Sequence, residues 1–236
     1  MSRPIASGPL RVVLATHNTK KLVELRRILV ELVRADHPAG TAPTLEVWGL
    51  ADLPSYPEPA ETETTFEGNA LLKARACVAR TGLPALADDS GLSVDVLNGM
   101  PGVRSARWAG PQASDADNNA LLLRQLSDVP DDRRRATFVC AMALVLPDGA
   151  EHVRRGEMPG RLLGELRGQN GFGYDPMFVP DGHSLSTGEL DAAAKDAISH
   201  RGGAVRAIAA VLLDVISAQT GPSAADPIRE VRSEAR

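Results

Sequence analysis

Asp88 and Asp89, which follow a short apolar run at residues 85–87, are the residues best suited to do chemistry. Two adjacent carboxylates repel each other unless a cation or solvent separates them. Mg²⁺ prefers oxygen ligands, takes few of them from the protein and completes its shell with water and substrate phosphates. One carboxylate could therefore hold the ion while its neighbour polarises a water for hydrolysis. The alternative for residues 88–91 is a solvated turn, which Asp, Ser and Gly favour on their own.

A phosphate-binding turn is predicted at residues 16–18, where the first apolar run meets a helical pattern. A helix N-terminus offers free N–H groups and partial positive charge, and Lys20 or Lys21 adds a full charge. The alternative is an ordinary strand-to-helix turn capped by Asn18. Glu61 could supply a further metal ligand, although a solvated loop glutamate is the commoner case. A solvated helical lysine is likewise the usual case for Lys73.

Two further polar segments lie in the second half of the chain. Phe172 and Tyr174 stand between glycines in the run GFGYDP at residues 171–176, in a chain with only 3% aromatic residues. A ring flanked by glycines can approach a flat ligand face-on; the alternative is an aromatic plug in the core. Lys195 and the run SHRG at residues 199–202 offer donors for a phosphate or for the acceptor edge of a base, the alternative being a surface cap.

The composition excludes several classes of protein. A net charge of −4 over 236 residues gives no basic excess for binding a nucleic-acid backbone. No apolar run approaches the length of a membrane span, and the first residues lack a signal peptide's apolar segment. Cys77 and Cys140 lie in apolar runs and are expected to be buried thiols. We therefore expect a cytoplasmic globular protein that binds neither nucleic acid nor membranes.

The elements that must position these residues alternate between apolar runs and helical stripes, which predicts an α/β fold with a mixed sheet. Strands are expected at residues 11–15, 45–47, 85–87, 92–96, 136–146 and 150–158, with residues 88–91 as a turn between the third and the fourth. Helices are expected at residues 18–34, 64–82, 114–126, 189–198 and 203–217. A capping box of Thr64 and Glu67, Gly82 as C-cap and Ser114 as N-cap mark helix ends. We expect a single domain over residues 1–220, with a tail at 1–9 and a disordered tail at 221–236.

Six strings of the sequence, in the same order, resemble the ITPase family of XTP/dITP pyrophosphatases, which act on non-standard purine nucleoside triphosphates. The strings are LATHNTKK from Leu14, TFEGNALLKA from Thr65, LADDSGLSVD from Leu86, MPGVRSARWAG from Met100, GFGYDP from Gly171 and KDAISHRG from Lys195. The resemblance implies an elongated mixed sheet flanked by helices, with two lobes around a central nucleotide cleft, and a homodimer. It also implies Mg²⁺-dependent hydrolysis of ITP, dITP and XTP between the α and β phosphates, which cleanses the nucleotide pool.

The resemblance also implies a role for each matching residue. Asp89 would activate the attacking water, and Asp88 and Glu61 would position Mg²⁺. The implied substrate-binding residues are Thr16, Asn18, Lys21, Lys73, Ser90, Phe172, Gly173, Tyr174, Asp175, Lys195, Ser199, His200 and Arg201. The chain departs from the family pattern at His17, Gly68 and Asn170, and none of these departures removes a charged group.

Two other functions compete with this one. A related pyrophosphatase for modified pyrimidines or dTTP, as in the Maf-like proteins, would share the fold, but the His-Arg and Phe-Gly-Tyr-Asp strings argue against it. A nucleotide-binding regulator without hydrolysis is disfavoured by the paired Asp88 and Asp89, since carboxylates near a triphosphate bind poorly without a metal. A kinase or GTPase is excluded because the chain lacks a Gly-x-x-x-x-Gly-Lys-Ser/Thr loop.

Overall fold

A computed structural model describes residues 10–16, 19–35, 45–54, 56–57 and 59–220. The expected tails at residues 1–9 and 221–236 lie outside these ranges, as do His17 and Asn18. Within the described ranges, the strands are β1 (Leu10–Leu14), β2 (Leu45–Gly49), β3 (Ala85–Val94), β4 (Arg135–Val145), β5 (Glu151–Leu162) and β6 (Phe178–Pro180). The α-helices are α1 (Thr19–Ala35), α2 (Phe66–Thr81), α3 (Asp115–Gln125), α4 (Ala192–Ile198) and α5 (His200–Thr220).

The strands form one mixed sheet in the order β2-β1-β3-β4-β5-β6. β1 is parallel to both β2 and β3, whereas β4, β5 and β6 are added antiparallel. The predicted α/β fold with a mixed sheet is therefore confirmed. β1 pairs with β3 only at Val13–Ala85 and Leu14–Leu86. Because β3 continues to Val94 while β1 ends at Leu14, the sheet opens into a cleft beside the second half of β3.

The prediction of a polar turn at residues 88–91 is wrong. β3 runs without interruption, with Asp88 opposite Met142 and Asp89 opposite Ala141 of β4. The apolar strand β4 supplies a backbone partner at each position of β3, and this long-range pairing overrides the local preference of Asp, Ser and Gly for a turn.

Helix ends follow local capping chemistry. The Thr64–Glu67 capping box is wrong, because the N-cap of α2 is Thr65, whose hydroxyl accepts from the N–H of Gly68 at 3.1 Å. The predicted C-cap Gly82 is confirmed and has a φ of 65°, a conformation that glycine adopts without strain. Ser114 caps α3, as predicted. α4 begins later than predicted, after its cap Asp191, and α5 begins earlier, at His200.

Three hydrophobic clusters hold the sheet between its helices. The first packs α1 and α5 on the face of β3 that carries Leu86, and the second packs α2 on the opposite face, around Ala85 and Ala87. The third joins α3 to the far ends of β3, β4 and β5 around Phe178. None of the helices in the described ranges combines the length and apolar character needed to cross a membrane.

Gly156 allows α5 to pack closely on β5. A β-carbon at Gly156 would lie 2.0 Å from the carbonyl oxygen of His200 and 2.6 Å from the backbone N of Ala204. We therefore expect Gly156→Ala to push the start of α5 away from β5 and to lower the free energy of unfolding by about 1–3 kcal/mol. Urea unfolding with an unchanged m-value would measure this loss.

Gly203 provides a matched control on the facing helix. A β-carbon there would have its nearest neighbour at 3.8 Å, an ordinary contact distance. Because alanine favours a helix over glycine, Gly203→Ala should raise the free energy of unfolding by up to about 1 kcal/mol. Equal effects of the two substitutions would contradict the proposed close contact at Gly156.

Candidate active site

The cleft beside β3 contains a pocket that brings together distant parts of the sequence. Ten of the predicted site residues line it: Glu61, Asp89, Ser90, Phe172, Gly173, Tyr174, Asp175, Lys195, His200 and Arg201. Three more of the predicted site residues lie behind this lining. Lys73 contacts Asp89, Asp88 contacts Ser90, and Ser199 contacts the first turn of α5. Residues more than 100 positions apart thus meet at one surface because β3 and the start of α5 adjoin there.

The predicted phosphate turn is described only in part. Thr16 follows the end of β1, where the N–H of Ala15 bonds the carbonyl of Leu86 at 2.7 Å. This bond places Thr16 at the point where β1 and β3 separate. Asn18 and the side chain of Lys21 lie outside the described residues, although the backbone of Lys21 is in the first turn of α1.

Lys73 is the centre of charge on the α2 side of the cleft. Its ammonium lies 3.0 Å from a carboxylate oxygen of Glu61 and 3.3 Å from one of Asp89. Burial acts to lower the pKa of Lys73, but the charges of Asp89, Asp88 and Glu61 outweigh it and raise the pKa above its usual value. Lys73 is therefore a buried, permanently charged cation, able to attract a phosphate oxygen.

Glu61 is held by two cations, Lys73 and Arg107. Arg107 contacts the second carboxylate oxygen of Glu61. Partial burial acts to raise the pKa of Glu61, but the charge of Lys73 and the hydrogen bond from Arg107 outweigh it and lower the pKa. Glu61 is therefore an anion at neutral pH. Arg107 lies within one of the family-like strings, yet sequence reasoning gave it no role, since its partner is 46 residues away.

Asp88 and Asp89 point to opposite faces of the sheet, as successive residues of a strand must. Asp89 faces α2, where the side-chain amide of Asn69 donates to it at 3.1 Å. Asp88 faces α5, with no side-chain exposure, and its carboxylate lies 3.7 Å from Nε of Arg201. The two carboxylates therefore belong to different groups of side chains, and of the two only Asp89 is among the residues that line the pocket.

Ser90 connects Asp88 to Arg201. Its hydroxyl donates to the Asp88 carboxylate at 3.2 Å and accepts from a terminal nitrogen of Arg201 at 3.0 Å. Arg201 is 2% exposed, so this network holds a charged guanidinium in a fixed orientation at the pocket wall.

The aromatic part of the pocket is built around Phe172. Lys195 and Arg201 lie 5.2 Å and 5.3 Å from the centre of its ring, within cation–π range. The backbone N–H of Phe172 donates to Asp175 at 2.8 Å, and Lys195 forms an ion pair with the same carboxylate oxygen. Gly171 is required here, because its φ is 76° and a β-carbon would meet that oxygen at 2.0 Å. The loop thus holds an aromatic ring at the pocket within cation–π range of two cations.

His200 and Ser199 also have structural contacts that the sequence does not indicate. The His200 ring stacks on Phe138 at a centroid distance of 4.8 Å and an angle of 8°. The Ser199 hydroxyl accepts from the N–H of Gly202 at 2.9 Å and so caps the first turn of α5. Tyr174 also serves the framework, since its buried hydroxyl donates to the carbonyl of Ser105 at 2.9 Å. Burial and, to a lesser extent, the charge of Asp115 raise the pKa of Tyr174, which stays neutral.

The carboxylates of the pocket determine which metal could bind. Across the described ranges, no group of three or more His, Cys, Asp or Glu side chains could enclose a metal ion. Glu61 and Asp89 both line the pocket and both contact Lys73. Two hard oxygen donors beside an open volume fit Mg²⁺, which keeps several waters and takes its remaining ligands from substrate phosphates. They do not resemble the closed nitrogen and sulfur shell of structural zinc.

Known proteins resemble this chain over most of its length. The Ham1 family matches residues 12–211. A dITP/XTP pyrophosphatase of Nocardia farcinica is 58% identical over 196 residues, which cover 83% of this chain and 91% of that protein. One from Cutibacterium acnes is 56% identical over 200 residues, covering 84% and 94% of the two chains.

Solved structures give the same result. A HAM1 protein from Coxiella burnetii, 40% identical, superimposes with a TM-score of 0.76 over 87% of this chain and 99% of that one. A nucleoside-triphosphatase, or dITP/XTP pyrophosphatase, from Mycobacterium abscessus is 51% identical, with a TM-score of 0.68 over 86% and 99%. The resemblance inferred from the six strings is confirmed: the chain belongs to the Ham1 family.

Proposed function

We propose that this protein is a nucleoside-triphosphate pyrophosphatase that hydrolyses the deaminated purine nucleotides ITP, dITP and XTP to the monophosphate and pyrophosphate. The name dITP/XTP pyrophosphatase borne by its relatives supports this proposal. The observation that carries it is the position of Asp89 and Lys73 on one side of a pocket whose other side holds Phe172 and Arg201. A triphosphate and a flat base could occupy these two sides at once.

We propose that the reaction requires Mg²⁺, held by Glu61 and Asp89 rather than by Asp88, which faces the other side of the sheet. When bound, the ion would neutralise charge on the phosphates and orient their scissile bond. Asp89 accepts the proton of the attacking water, and Lys73 stabilises the charge that develops on the pyrophosphate. Both groups are already fixed by Asn69 and Glu61, so little reorganisation is needed on reaction.

Base selection follows from the hydrogen-bonding pattern of the purine edge. Inosine and xanthine carry an oxygen acceptor at C6, where adenine carries an amino donor. Arg201 carries only donors, and Asp88 and Ser90 hold it in place. It can pair with the oxygen, but it meets the adenine amino group donor to donor. An unpaired polar group in a closed pocket costs about 1–3 kcal/mol.

Product analysis tests the proposed bond cleavage. With ITP and Mg²⁺, we expect equal amounts of IMP and pyrophosphate, and no reaction when EDTA removes the metal. With water enriched in ¹⁸O, the label identifies which phosphorus the water attacks. IDP and inorganic phosphate as products would contradict cleavage between the α and β phosphates.

We also propose that the protein acts in the cytoplasm as a homodimer, as the family resemblance implies. Sedimentation velocity over a range of protein concentrations should give a dimer. A monomer at every concentration would contradict the assembly without affecting the proposed reaction.

A further inference from the structure

One face of α3 contacts two loops that line the pocket, one through Ala106 and the other through Gly173. Asp115, Asn118 and Asn119 are spaced i, i+3 and i+4 and therefore share a helix face. Asn118 and Asn119 are each only 3% exposed, which is rare for asparagine unless its amide is hydrogen-bonded. The backbone groups they bond therefore show what this face of α3 does.

Asp115 and Asn119 hold the loop that carries Phe172. The N–H of Gly173 donates to the Asp115 carboxylate at 2.8 Å, and the Asn119 amide donates to the carbonyl of Gly173 at 2.9 Å. Both backbone polar groups of Gly173 are thus fixed, at a φ of 61° that is available mainly to glycine. Since Phe172 directly precedes Gly173, these bonds fix the backbone from which its ring projects.

Asn118 holds the loop that carries Arg107. Its side-chain oxygen accepts from the N–H of Ala109 at 2.8 Å, and its side-chain nitrogen donates to the carbonyl of Ala106 at 3.2 Å. These two bonds bracket Arg107, whose guanidinium contacts Glu61. Asn118 also lines the pocket, but its side-chain oxygen and nitrogen are both bonded to the backbone of this loop, so its polar atoms act on the pocket through the loop.

We propose that α3 couples base binding to catalysis, with Asn119 positioning Phe172 and Asn118 positioning Glu61 through Arg107. Asn118 and Asn119 are neighbours on one helix and hold the two loops. The Phe172 ring and the Glu61 carboxylate therefore keep a fixed separation. That separation decides whether a bound purine places its α phosphate opposite Asp89, and displacements of about 1 Å at such sites cost up to about 10²-fold in rate. This inference rests on the proposed function.

Steady-state kinetics of substituted α3 separates the two roles. Asn119→Ala should raise the KM for ITP by about 10-fold with a smaller change in kcat, because it loosens the stacking surface. Asn118→Ala should lower kcat by about 10-fold to 10²-fold with a smaller change in KM. It should also weaken Mg²⁺ binding by the protein without nucleotide, measured by titration calorimetry. Arg124→Ala, at an exposed position of the same helix, is the control.

Isosteric variants distinguish these hydrogen bonds from mere packing. Asn118→Asp keeps the acceptor for Ala109 and should recover part of the lost kcat. Asn119→Asp replaces the amide nitrogen that donates to Gly173 with a carboxylate oxygen and should resemble Asn119→Ala. Urea unfolding of each variant identifies any general loss of folding, and the kinetic ratios are compared only among folded variants.

The test of the positioning role of α3 does not depend on which nucleotide is the substrate. Wild-type turnover of ITP tests the proposed function, and the α3 variants are then measured on whichever triphosphate the wild type hydrolyses. If Asn118→Ala and Asn119→Ala changed KM by the same factor as each other, and kcat likewise, the division of roles would be overturned. Unchanged constants in both folded Asp variants would overturn the positioning role itself.

Discussion

Asp89→Asn is expected to lower kcat for ITP hydrolysis by about 10²–10⁴-fold, the range that a general base contributes. An amide cannot take the proton of the attacking water and is a weaker ligand for Mg²⁺. The substitution preserves side-chain size, and the hydrogen bond from Asn69 can persist to the remaining carbonyl oxygen. We therefore expect ITP to bind with nearly unchanged affinity, which calorimetry on the inactive variant can measure directly.

The control for this substitution is Asp128→Asn, which removes an exposed aspartate beyond the end of α3. It should leave kcat unchanged. Near-normal turnover by Asp89→Asn would contradict the role of Asp89 as the base. Loss of both turnover and ITP binding would indicate that Asp89 acts mainly as a ligand for Mg²⁺ or as the charge partner of Lys73, rather than as the base.

Arg201→Ala is expected to reduce the ratio of kcat/KM for ITP to that for ATP by about 10-fold to 10²-fold, the equivalent of one lost hydrogen-bonding group in a closed pocket. In the proposed function, the guanidinium is the donor that discriminates between the C6 oxygen and the adenine amino group. Removing it also leaves the buried Asp88 without its partner at 3.7 Å, so some loss of stability should accompany the change. Parallel progress curves with the two nucleotides give the ratio.

Two companion variants sharpen this test. Arg206→Ala removes an exposed arginine from the same helix and should leave the ratio unchanged. Asp88→Asn should lower selectivity in the same direction as Arg201→Ala, because it weakens the network that orients the guanidinium. A raised Mg²⁺ requirement with unchanged selectivity in Asp88→Asn would instead support Asp88 as a metal ligand.

The elements of the fold could be predicted largely from the sequence, because apolar runs and helical stripes are local signals. β3 could not, since Asp88 and Asp89 favour a turn locally and only pairing with β4 makes them part of a strand. The same error concealed the orientation of the two carboxylates. Residues in a turn can share one cation, whereas neighbours in a strand face opposite sides of the sheet.

The site residues, too, could be predicted only in part from the sequence. The family-like strings name Phe172 and Arg201, and the structure brings both to one pocket. They do not reveal that Arg107 reaches Glu61 or that Asn118 and Asn119 hold the two loops, because those partners are 9 to 54 residues apart. Buried asparagines on a helix face look like ordinary polar surface until the packing of α3 is known.

Specificity constants for a panel of nucleotides test the central claim most directly. Pyrophosphate release would be measured with ITP, dITP and XTP beside ATP, GTP, CTP, UTP and dTTP, each with Mg²⁺ and with EDTA. We expect the three deaminated purines to be preferred by at least about 10-fold over ATP, the difference that one mismatched hydrogen bond makes, and no release without metal. A preference for dTTP or another pyrimidine, or binding of every nucleotide without hydrolysis, would contradict the account.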